Sequence, residues 1–120
     1  MRSERSMSLA IDGQPSPLRV RACAHFLARA RGLLWAAADD ASCGIRLDPC
    51  RAVHTFGMRR AIDVVFVDAN GVVRRVFSSL RPWRVAFDLR ARAAYEFSAG
   101  TASRFDLAPG HRLQLGEPLR

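Results

Sequence analysis

Most of the side chains in this sequence that could do chemistry sit in one stretch, Cys50–Asp63, which carries Cys50, His54, Thr55, Met58 and Asp63. A histidine within hydrogen-bond reach of a carboxylate is the smallest general acid/base unit. Asp63 or the more distant Glu96 supplies the carboxylate. Cys50, His54 and Met58 also form the kind of soft donor set that Cu(I) prefers. Their spacing opposes a metal site. Along an extended strand, positions four apart lie ~13 Å from one another, whereas ligands must sit about 2 Å from one ion. No nucleophile elbow, phosphate loop or internal repeat accompanies these residues, and no cofactor motif is present. The expectation is a shallow pocket bordered by His54, Thr55, Met58, Asp63 and Glu96, with no metal and no cofactor.

Asp63 stands out because of its surroundings. It opens Ile62–Val67, a run that is otherwise apolar and β-branched on both faces. A carboxylate buried there needs partners, either backbone N–H groups, the histidine, or the nearby Arg59 and Arg60. If Arg59–Ala61 reverses the chain, the strand carrying His54 and Met58 ends close to Asp63.

The elements that must position these groups are short strands. Ile62–Val67 and Val72–Phe77 flank Asp68-Ala69-Asn70-Gly71, which reads as a β-hairpin with a type I turn closed by a glycine bulge. Leu18–Ala22 alternates apolar residues with Arg19 and Arg21, a half-buried strand. Gly44–Leu47, Ala52–Met58, Ala93–Phe97 and His111–Leu115 read as further strands. Cys23–Leu34 places Phe26, Leu27, Ala30, Leu33 and Leu34 on one helical face. Ser98 is positioned to cap a second short helix over Ala99–Phe105. Pro109-Gly110 suits a type II turn. Ser78–Arg84 interrupts the pattern, and Trp83 in its Arg81-Pro82-Trp83-Arg84 run reads as a surface ring packed by arginine. Val85–Arg92 is ambiguous. Residues 1–17 read as a flexible N-terminal tail, 18–116 as a single β-rich domain and 117–120 as a frayed end.

The formal net charge is +8, and all 19 basic residues are arginine. They are scattered rather than gathered, so the expectation is weak, non-specific polyanion binding and no defined nucleic-acid footprint. No stretch approaches the ~18 apolar residues of a membrane span. The three cysteines form no CxxC, and no secretory signal is evident, which points to a cytoplasmic protein with reduced thiols.

The order of motifs resembles the domain of unknown function 192 family of bacteria and archaea. The matching residues are Arg29, Gly32 and Leu33; Met58, Asp63 and Phe66; Asn70 and Gly71; Glu96 and Gly100; Pro109 and Gly110. The resemblance implies a mainly β fold, a compact β sandwich or barrel-like domain with one or two short helices, and no established reaction. The functional expectation is a non-enzymatic binding or accessory module for an unknown small molecule or protein partner. The alternative is a small acid/base hydrolase or isomerase using His54 with Asp63 or Glu96.

Overall fold

In a computed structural model of the protein, residues 6–23 and 42–118 are described. Nine strands and one short helix occur among them: β1 Ser6–Ile11, β2 Gln14–Cys23, β3 Cys43–Leu47, β4 Ala52–His54, β5 Ile62–Val67, β6 Val73–Leu80, β7 Val85–Phe87, β8 Ala93–Ser98, α1 Thr101–Arg104 and β9 Leu113–Pro118. Seven strands form one sheet in the order β6-β5-β8-β3-β2-β1-β9, and β4 pairs with β7 in a separate ribbon. Pairing is antiparallel throughout except between β2 and β3. The large sheet curls until its edges meet. Val72 and Arg112 form an antiparallel bridge, flanked by bonds from Val73 N–H to His111 O at 2.7 Å and from Leu113 N–H to Gly71 O at 2.8 Å. The fold is thus mainly β and barrel-like.

The central strands explain how two cores arise from one sheet. Residues directly opposite in an antiparallel pair share a face. Asp63, Val65 and Val67 therefore lie with Phe97, Tyr95 and Ala93 on one face. Ile62, Val64 and Phe66 lie with Ser98, Glu96 and Ala94 on the other. The first face looks into the barrel, where Leu9, Leu18, Val20, Tyr95, Phe97 and Leu113 pack. The second is covered by Val53 and Ala86 of the β4–β7 ribbon and by Met58 just after β4. All six residues of β5 are buried, as expected for a strand that is apolar on both faces.

The hairpin after β5 forms as its residues dictate. Gly71 N–H donates to Asp68 O at 3.0 Å, and Gly71 adopts φ +82°. The Asp68 carboxylate accepts from Asn70 N–H at 2.8 Å and Val72 N–H at 3.0 Å. A type II turn at Pro109-Gly110 is closed by His111 N–H on Ala108 O, with Gly110 at φ +100°.

Several expectations are corrected. The segment read as a flexible tail instead supplies β1 and the start of β2. Met7, Leu9 and Ile11 alternate along β1, and Asp12 and Gly13 both take positive φ, at 53° and 81°, between Ile11 and Gln14. That is a two-residue type I′ hairpin loop, and Asp-Gly is one of its preferred sequences. β6 runs on to Leu80 rather than breaking at Ser78. β9 continues to Pro118, past the expected fraying point at Gly116. The helix expected within Cys23–Leu34 lies almost wholly outside the described residues, as do Arg29, Gly32 and Leu33.

A bidentate ion pair ties β6 to the turn after β7. Arg74 Nε donates to Asp88 Oδ2 at 2.8 Å and Arg74 Nη2 to Oδ1 at 3.1 Å. The hydrogen bond from Arg74, opposed by burial and helped by Arg90 N–H, holds the Asp88 carboxyl below its ordinary value of 3.8. A depressed folded-state value stabilises the fold above the unfolded value and ceases to do so as pH falls through the depressed one. Urea midpoints should therefore drop below about pH 4, and Asp88→Asn should flatten that acid limb. An equally steep acid limb in the variant would mean that other carboxylates control it.

Candidate functional site

The five residues expected to border one pocket are distributed over three levels of the molecule. Asp63 is 1% exposed and points into the barrel. Its Oδ1 accepts from Ser79 N–H at 2.8 Å, and its Oδ2 accepts from Gly100 N–H at 3.1 Å and Ala102 N–H at 2.8 Å. The first bond holds a β-bulge, because the β5–β6 register shifts between Ile62 and Val64 and Ser79 sits at φ +51°. The other two cap α1. The first N–H groups of a helix have no partner within it, and the N-cap of this one, Gly100, has no side chain to offer. Asp63 does from a neighbouring strand what Ser98 was expected to do locally. Of the partners considered for Asp63, backbone N–H groups take both oxygens.

Glu96 is equally buried, but on the opposite face of the sheet, beside Val64 and Ile45. Met58 packs on that same side, in the core beneath the ribbon. The two carboxylates are therefore separated by the sheet itself.

Thr55 is fully buried and holds two loops together. Its hydroxyl donates to Arg81 O at 2.6 Å and accepts from Arg84 N–H at 2.9 Å. Its carbonyl accepts from Met58 N–H at 3.2 Å and Trp83 N–H at 3.0 Å. The strand expected over Ala52–Met58 stops at His54, because the chain turns through Gly57 at φ +82°. This turn sends Met58 inward while His54 stays outside, so the two do not share a face.

His54 belongs to a surface that sequence reasoning missed. Val53 and Ala86 face each other across the ribbon and are buried. By strand parity, Ala52, His54, Val85 and Phe87 form its outer face. The His54 ring stacks on Phe56 at 4.8 Å, and Phe56 stacks on Trp83 at 5.7 Å. Phe56, Trp83, Val85, Phe87 and Leu89 are 49%, 65%, 53%, 55% and 72% exposed. Phe56, Trp83, Val85 and Phe87 gather on the face that carries His54, which distinguishes them from scattered surface hydrophobics; Leu89 lies in the turn after β7. Trp83 was read as a ring packed by arginine, yet its stacking partner is Phe56. It also holds φ +63°, a conformation that costs a bulky residue and recurs at functional sites.

The surface is rimmed by positive charge. Arg51, Arg81, Arg84 and Arg90 are exposed, and none has a carboxylate partner among the described residues. The carboxylate nearest in sequence to the last three, Asp88, is buried and engaged by Arg74. Cys43 and Cys50 carry thiols rather than a disulfide, and the Cys50 thiol donates to Ala52 O at 3.2 Å. No cluster of three or more metal-binding side chains occurs among the described residues.

A family model described as "Uncharacterized ACR", the domain of unknown function 192, matches residues 7–115. The chain belongs to this family. The match takes in nearly all of β1 and the first half of β9, the strands that close the barrel. No curated protein matches. Among solved structures, a Sinorhizobium meliloti protein described as a candidate transcription regulator aligns with TM-score 0.80 at 18% identity, over 96% of this chain and 97% of that one. A Novosphingobium aromaticivorans protein of unknown function aligns with TM-score 0.74 at 16% identity, over 91% and 84%. At these identities the likeness is one of fold. Among the described residues, no helix of this family member is long and apolar enough to cross a membrane.

Proposed function

We propose that this domain of unknown function 192 protein is a non-enzymatic binding module, and that its binding surface is the outer face of the β4–β7 ribbon. The carrying observation is the contiguous apolar face of His54, Phe56, Trp83, Val85 and Phe87, with Trp83 held in an unfavourable backbone conformation. Core packing does not account for exposed side chains of this size, whereas interfaces are enriched in aromatic residues and arginine. The acid/base alternative draws no comparable support. Asp63 has both oxygens occupied by backbone N–H groups and faces the barrel, and Glu96 lies beneath the ribbon whose outer face carries His54.

The reading is tested by placing a photo-crosslinking amino acid at Phe87 and, separately, at Ser103 on the exposed part of α1. After irradiation in the native host, a discrete adduct should form from position 87 and not from 103. Val85→Asp should abolish it without moving the thermal midpoint by more than a few degrees. Equal labelling from both positions, or none from position 87, would remove the ribbon face as the binding surface.

A further inference from the structure

The hydrogen-bond phase of the ribbon bears on what docks there. In an antiparallel pair, opposed residues alternate between exchanging hydrogen bonds with each other and directing them outward. Thr55 N–H bonds to Arg84 O, and Asp88 N–H bonds to Arg51 O, each at 2.9 Å. Val53 and Ala86, midway between these pairs, are therefore the pair bonded within the ribbon. Val85 and Phe87 turn their N–H and C=O groups away from β4. Among the described residues, the only strand paired with β7 is β4. Both residues are more than half exposed, and among the described residues no backbone group bonds to their main chain. β7 is a short open edge, bearing backbone donors and acceptors next to an apolar face. Such an edge accepts an added strand, in which main-chain bonds supply affinity and alternate side chains supply specificity.

The rim narrows the choice of strand. Arg84 immediately precedes β7, and Arg90 follows it by three residues. Arg81 and Arg51 add charge near the two ends of the ribbon. The local field is positive at both ends of β7 and apolar between them. A duplex or single-stranded nucleic acid would satisfy the arginines but would leave Val85, Phe87 and Leu89 against a charged backbone. An extended protein segment with an apolar centre and acidic ends satisfies both.

We infer that β7 is a strand-addition site for an extended peptide of about four residues whose alternate side chains are apolar and whose ends carry Asp or Glu. This rests on the ribbon face being the binding surface and adds the mode and chemistry of the partner. The apolar side chains of the peptide lie on Val85, Phe87 and Trp83, and its acidic ends meet Arg84 and Arg90.

The test uses the full-length protein labelled with ¹⁵N and an array of acetylated octapeptides, with Asp or Glu at both ends and Val-Thr-Phe-Thr or its permutations between. Binding should shift the Val85 and Phe87 amides and slow their exchange with solvent at least tenfold. Three comparisons separate the components. Peptides with lysine ends should bind at least tenfold more weakly. Peptides N-methylated at the central alternate residues should not protect the two amides. Trp83→Gly, which suits φ +63°, should leave the thermal midpoint unchanged or raised and weaken binding at least tenfold. N-methylated peptides that bind as well as their parents would overturn strand addition while leaving the surface itself intact. No response of the ribbon amides to any peptide, or a response to a thymidine decanucleotide that exceeds them all, would overturn the inference. The arginines would then act only as guards of an exposed edge. A photo-adduct at Phe87 alongside that outcome would preserve the binding-module reading with a different partner.

Discussion

Asp63→Ala should lower the unfolding free energy by about 2–4 kcal/mol, one of the two largest effects expected from any single substitution here. Three backbone donors from two separate places, Ser79 at the β6 bulge and Gly100 and Ala102 at the start of α1, converge on one carboxylate. Each hydrogen bond to a charged acceptor contributes about 1.5–3 kcal/mol. The full sum is not expected, because Ser79 and Gly100 are exposed residues whose N–H groups water can partly reach after the change. Ala102 is buried, and its N–H bears most of the loss. Asp63→Asn keeps the volume and one acceptor oxygen but turns an NH₂ group toward a donor, so it should fall between wild type and Ala. Urea melts of the three proteins check the order. Amide exchange at Ser79, Gly100 and Ala102 should accelerate together in both variants. An unmoved midpoint in Asp63→Ala would show that water replaces the carboxylate at little cost.

That residue marks how far the sequence could be read. A lone carboxylate in a doubly apolar strand had to be satisfied, and backbone N–H groups were among the partners named for it. Its direction was not legible. Parity along β5 gives two faces, but only the pairing with β8 decides that Asp63 faces the barrel and Glu96 the ribbon. Long-range register of this kind leaves little local trace. The hairpin at Asp68–Gly71 was legible because turn chemistry is local. By the same reasoning β1 should have been found, since Asp12-Gly13 is as strong a turn signal as Asn70-Gly71; the polar run around it outweighed that signal. The ribbon face was hidden for a different reason. In Val85-Ala86-Phe87 the small residue points inward and the large ones outward, the reverse of what hydrophobicity suggests. A three-residue strand offers too short a pattern to assign its inner face. The stacked row of His54, Phe56 and Trp83 joins two loops through Thr55, a contact across nearly thirty residues that composition does not encode.

The second large effect concerns the seam where the sheet closes. Gly71→Ala should destabilise the fold by about 2–4 kcal/mol and open the barrel at its edge strands. Two costs coincide at this position. Gly71 adopts φ +82° to form the bulge after Asp68, a conformation that costs a residue with a Cβ about 1–2 kcal/mol. An added Cβ would also stand 2.4 Å from the carbonyl oxygen of Leu113. That oxygen belongs to the backbone of β9, so no side-chain rotation relieves the clash. Leu113 N–H meanwhile donates to Gly71 O at 2.8 Å, and moving β9 away sacrifices this bond and weakens the Val72–Arg112 bridge beside it. The exposed pair of His111 Nδ1 and Asp12 Oδ2, at 2.6 Å, lies at the same seam. With Arg112 N–H on Asp12 Oδ1 at 2.8 Å, it ties the β1–β2 turn to the start of β9. Because the seam rests on a single bridge, these contacts should fail as a unit. Amides of Val73, Arg112 and Leu113 should lose exchange protection in Gly71→Ala well before those of β5 and β8. Gly13→Ala supplies the control, since it shares a positive φ but meets nothing within 4 Å, and should cost only the conformational part, about 1–2 kcal/mol. Equal losses in the two variants would mean that the close approach to Leu113 is relieved without cost and that the seam is not where the barrel is tightest.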